Sequence, residues 1–104
     1  MRYYTATDFT ASRAWGAQEI AVLDGTSVRL HWTDAPYVWH VNDGQEVFVL
    51  LDGKLDMHVR TAGGEETVTR MTAGMIAHAP EGTEHVARPD GVCRILVIER
   101  EGSL

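Results

Sequence analysis

The chain has 104 residues, 44% of them apolar and 23% charged, with a formal net charge of −6. That length supports one domain, residues 1–104, with a core of modest size. Fifteen acidic against nine basic groups disfavour nucleic acid and anionic membranes as partners.

No apolar run is longer than the five residues 47–51, far short of a membrane-spanning helix. The start, Met1-Arg2-Tyr3-Tyr4-Thr5, lacks a hydrophobic segment followed by small residues, so no signal peptide is expected. Cys93 is the single cysteine, which excludes an internal disulfide and suits a reducing, cytoplasmic location.

In chain order, residues 1–17 read as an N-terminal extension. Asp8 or Thr10 caps a short helical turn that ends at Gly16, with Trp15 folded onto the body. Strands are then predicted at 18–24, 26–32, 37–41, 45–51, 54–60, 66–71, 75–79, 85–88 and 92–99. Ten glycines punctuate them. Asp24-Gly25, Asp43-Gly44, Asp52-Gly53 and Asp90-Gly91 each offer the positive φ that a tight hairpin needs. With β-branched and aromatic residues between these turns and no helical period, about nine short strands make the chain all-β, a sandwich or barrel.

Two kinds of strand are present. In 26–32, Val28, Leu30 and Trp32 alternate with Ser27, Arg29 and His31, as in a half-exposed strand. Residues 46–51 and 92–98 are apolar on both faces and need cover on both. In so short a chain the second cover is expected from another subunit, which predicts a homodimer.

Five histidines need sorting. His31 and His58 fall on polar strand faces and are expected to meet solvent. His40 and Asn42 share a face of one strand, and Glu46 heads the apolar face that continues through Phe48 and Leu50. A carboxylate there is costly to bury unless it is paired or bound to a cation. His85 follows the turn at Pro80-Glu81-Gly82. Two imidazoles and one carboxylate match the facial set that holds iron or similar divalent ions with open positions. Such a trio also occurs often by chance.

His40-x-Asn42-x3-Glu46-x6-Gly53 resembles the first signature motif of the cupins, G-x5-H-x-H-x3,4-E-x6-G. Gly74-x5-Pro80-x-Gly82-x2-His85 resembles their second, G-x5-P-x-G-x2-H-x3-N. The resemblance covers residues 26–99 and is to small single-domain bacterial cupins. It implies a jelly-roll β-barrel that often dimerises, with a divalent metal (Fe, Mn, Ni or Zn) held inside by His40, Glu46 and His85. The chain departs from the motifs at Asp34, Asn42 and Pro89, which stand where a glycine, a histidine and an asparagine are usual. Asn42 is then a fourth, weaker ligand, or leaves the ion to the other three, or belongs to a site that has exchanged its metal for an organic ligand.

With an ion present, the expected chemistry is Lewis-acid activation of a small oxygen-rich metabolite, of dioxygenase or isomerase/lyase type. Glu46 serves as ligand and proton shuttle, and His78 as an acid-base group. Val38, Phe48 and Leu50 share parity with the ligands and are expected to line the pocket. Arg88 is a candidate for a substrate carboxylate. Trp39 should point away from the pocket, and Cys93 should be a core thiol. The alternatives are a cupin that binds a small molecule without turnover, and a metal-free enzyme using His78, His85 and Glu46.

Overall fold

A computed structural model describes residues 1–103. A single 3₁₀ turn, Ala6–Asp8, is followed by seven strands: β1 (Gly16–Leu23), β2 (Thr26–Thr33), β3 (His40–Val41), β4 (Glu46–Arg60), β5 (Glu66–Thr72), β6 (Ile76–Ala79) and β7 (Glu84–Arg100). All pairings are antiparallel, in the order β1-β2-β7-β4-β5, with β3 added to β7 and β6 added to β4. The all-β jelly-roll expectation holds.

The nine expected strands become seven because two glycine punctuation marks lie inside strands. Residues 45–51 and 54–60 merge into β4, and 85–88 and 92–99 merge into β7. These long strands pair from Glu46↔Glu99 to Arg60↔Glu84, with the register shifting between Leu50 and Lys54. Gly53 sits in that irregular stretch at φ 91°, where a Cβ would lie 2.3 Å from the Val92 carbonyl oxygen. Each long strand therefore bends and serves two faces. Its early half in β4 pairs with β6, and its late half pairs with β5. Asp24-Gly25 does close a tight hairpin, with φ of 51° and 81°.

The short turn falls earlier than expected: Asp8 is its last residue rather than its cap, and Gly16 opens β1. Trp15 does fold onto the body. Its Nε1 donates to the Ala35 carbonyl at 2.9 Å, and it packs against the core. The core is built from Phe48, Leu50, Leu55, Met57, Met71, Cys93, Ile95 and Val97. Cys93 is fully buried, its thiol donating to the Lys54 carbonyl, and burial pushes the thiol pKa up. Among the described residues, no helix is long and apolar enough to cross a membrane.

Candidate metal centre

Register assembles the site. The β4–β7–β2 pairings lay inward side chains in rows: Glu46–Glu99–Ser27, Phe48–Val97–Arg29 and Leu50–Ile95–His31. At the other half of β7, β3 pairs His40 with His85. One end of the barrel interior thus receives a carboxylate from β4, an imidazole from β3 and another from β7.

One ligand atom from each of His40, Glu46 and His85 lies within 4.8 Å of the other two. Glu46 and His85 are buried, at 6% and 2% exposure. His85 Nε2 is 3.4 Å from Glu46 Oε1 and 2.7 Å from Asn42 Oδ1, to which it donates in the Nε2–H tautomer and beside which it offers a lone pair to an ion in the other. Two ligands at right angles about one ion, each at about 2.1 Å, stand about 3 Å apart, so these separations bracket the required spacing. Asn42 is held in place by its own amide, whose Nδ2 donates to the Ala79 carbonyl at 3.5 Å. His40 Nδ1 donates to the Val38 carbonyl at 3.2 Å, which leaves Nε2 as the ring's free lone pair.

Buried Glu46 Oε1 and His85 Nδ1 find no hydrogen-bond partner among the described residues. A buried carboxylate oxygen without a donor is costly, and a cation would satisfy it. Burial lowers the pKa of both His40 and His85 and keeps them neutral, as metal ligands must be. Burial raises that of Glu46, which a bound cation would reverse. The donor set fits a divalent ion.

The centre opens into a cavity of about 270 Å³. Trp15, Tyr37 and Phe48 form apolar walls, and Arg29, His31 and Glu99 add polar groups. Trp15 meets Tyr37 and His31 edge-on at 5.6 and 5.9 Å. Glu99 lies beside Glu46. Burial and the neighbouring carboxyl group push its pKa up to about 8, so near neutrality the pair shares a proton.

The expected residues divide cleanly. His40, Asn42, Glu46 and His85 come together, and Phe48 lines the cavity. His78 does not join them: it pairs opposite Val47, on the other face from Glu46, and its exposed ring contacts Gln45 Oε1 at 2.9 Å. Val38 is 65% exposed and contributes only its carbonyl, while Leu50 is wholly in the core rather than on the cavity wall. Arg88 is exposed and off the cavity. Trp39 does point away, stacking under the Arg60 guanidinium at 4.0 Å.

Sequence reasoning missed Glu99, His31 and Arg29. Glu99 carries the signal that marked Glu46, a carboxylate sharing parity with apolar Cys93, Ile95 and Val97. Alternation alone points His31 and Arg29 to solvent, because polar residues of a half-exposed strand ordinarily turn outward. In a barrel that encloses a polar cavity, the polar face of β2 turns inward. His31 Nδ1 donates to the Trp15 carbonyl at 3.1 Å, and burial lowers its pKa.

No protein-family model matches the sequence, and no curated protein matches it. Solved structures do. A cupin-2 domain protein from Shewanella frigidimarina is 26% identical and aligns over 91% of this chain and 87% of its own, with a TM-score of 0.77. A cupin superfamily protein from Desulfitobacterium hafniense is 13% identical over 91% of this chain and 85% of its own, with a TM-score of 0.76. A hydroquinone 1,2-dioxygenase in complex with Fe³⁺ is 18% identical with a TM-score of 0.78. This chain covers 88% of itself but only 29% of that larger protein. The chain has the cupin superfamily fold.

Proposed function

We propose that the protein is a metal-dependent cupin whose ion, held by His40, Glu46 and His85 with Asn42 as a weak fourth donor, acts on a small oxygen-rich metabolite. The observation that carries this reading is the convergence of three ligand atoms within 4.8 Å around a buried, unpartnered carboxylate oxygen. When bound, the ion supplies Lewis-acid stabilisation of oxygen charge that develops on the substrate. The chain's residues do the rest. Neutral His40 and His85 and the Glu46 carboxylate hold the donor geometry, and Trp15, Tyr37 and Phe48 wall the cavity. Beside them, Glu99 lines the cavity next to the Glu46 carboxylate.

Of the two reaction types, oxidative cleavage by a dioxygenase takes precedence. It is supported by the fold shared with an iron-complexed hydroquinone 1,2-dioxygenase and by a donor set suited to iron. The test is oxygen uptake and product analysis with Fe(II)-loaded protein on catechols, enediols and 2-oxo acids, alongside Mn- and Zn-loaded protein for isomerisation. Turnover should disappear on chelation and in Glu46→Gln. Turnover indifferent to chelation, or none with any metal form, overturns the reading.

A metal-free binding module is the second reading, favoured by the 2.7 Å bond that already occupies His85 Nε2. It predicts equal ligand affinity before and after chelation. A homodimer is proposed as well, supported by the apolar outer rows Val28–Ile98–Val47 and Leu96–Val49–Ile76.

A further inference from the structure

Arg29 reaches the cavity from an otherwise apolar row, since its row-mates Phe48 and Val97 are buried. Ser27 and His31 share its face, each about 7 Å along the strand. A half-buried guanidinium is costly unless its five donors are met, and although His31 and Glu99 line the same cavity and feel its charge, neither makes an ion pair or hydrogen bond with it. The chain's other arginines follow that rule. Arg60, Arg70, Arg94 and Arg100 are paired with Glu84, Asp56 and Asp90, Asp52, and Asp43. Arg2, Arg13 and Arg88 are exposed to water. Among the described residues, Arg29 alone is neither exposed nor engaged in an ion pair or side-chain hydrogen bond. It lines the same cavity as His40, Glu46 and His85.

We propose that Arg29 is the specificity-determining residue of this site, receiving the carboxylate of a substrate whose other oxygens are held at His40, Glu46 and His85. The proposal rests on the metal-centre reading for that second point of attachment. A planar fork of donors matches a carboxylate in two parallel hydrogen bonds. Trp15, Tyr37 and Phe48 supply walls for a flat body between the two ends. A cavity of about 270 Å³ takes one ring or a short chain. The substrate class is therefore a small hydroxy- or oxo-carboxylic acid, the carboxylate standing apart from the chelating oxygens.

Calorimetric binding of matched probes tests this: protocatechuate against catechol, and 2-oxoglutarate against 2-oxovalerate. Each pair shares its chelating oxygens and differs in the distal carboxylate. On wild-type protein at least one carboxylate-bearing member should bind about tenfold tighter or better than its match. Arg29→Gln should erase that preference while leaving metal content and binding of the member without the distal carboxylate within about twofold. Arg29→Lys, which keeps the charge without the fork, should retain part of it and stands in if the glutamine variant fails to fold. Equal binding within both pairs, a preference that survives Arg29→Gln, or no binding of either carboxylate overturns the proposal. Metal content measured on the same protein after reconstitution separates the two readings. A preference that persists in protein unable to hold metal defeats the metal centre alone, whereas stoichiometric metal with no preference defeats the anchor alone.

Discussion

Asn42 sets how many protein donors an ion would meet, because its Oδ1 stands 2.7 Å from His85 Nε2 at the edge of the ligand set. An imidazole binds iron, nickel or zinc more strongly than an amide oxygen. Asn42→His should tighten metal binding by at least about tenfold, read by competition with a chelating dye; unchanged affinity would mean that position 42 does not face the ion. Glu99 makes a second prediction. Its folded pKa of about 8 lies above the unfolded value of about 4.3. The native state therefore keeps a proton that the unfolded chain releases. That stability is complete below about pH 4.3 and is lost as pH rises to about 8. In chelator-treated protein, Glu99→Gln should melt above wild type at alkaline pH, with the gap closing toward pH 4. Parallel melting curves would contradict it. Glu46 was legible because a carboxylate interrupted an apolar face next to a motif histidine. Glu99 interrupts a face in the same way, but no motif residue stands beside it to draw attention.

Strand positions were legible from alternation and glycine spacing, whereas strand continuity was not. A glycine with positive φ serves equally as a turn between strands or as a bend within one, and only the partner strand decides. Gly53 is a bend: a side chain there would strike the Val92 carbonyl at 2.3 Å and Cys93 at 3.0 Å. Gly74, at φ 96°, has open space around it. Gly53→Ala should therefore cost about 3 kcal/mol or more, through backbone overlap as well as strain. Gly74→Ala should cost about 1 to 2 kcal/mol, from strain alone. Denaturant melts of the two variants check the ordering, and equal losses would show that Gly53 is not held against β7. The inward turn of His31 and Arg29 belongs to this scale too. A single strand's pattern tells which residues share a face, but not whether that face meets solvent or a polar cavity.

At the scale of the whole molecule, the jelly roll was legible because two spaced motifs tie four distant residues to one barrel end. His78, Val38 and Leu50 were placed by local parity alone, which knows nothing of the cavity's extent. The need for a second cover over 46–51 and 92–98 persists in the fold. Val47, Val49, Leu96 and Ile98 remain half-buried on the outer face, with Ile76 exposed beside them. Light scattering should give a species of twice 11.5 kDa, and a strictly monomeric mass would remove the proposed dimer. The central claim, that this barrel end is built to hold an ion, is tested most directly by metal analysis. Protein purified without a histidine tag would be reconstituted with Fe, Mn, Ni, Co or Zn, desalted and assayed for bound metal. The account predicts about one ion per chain for at least one of these metals, lost in Glu46→Gln and His85→Ala. Clearly sub-stoichiometric metal for all five would contradict it.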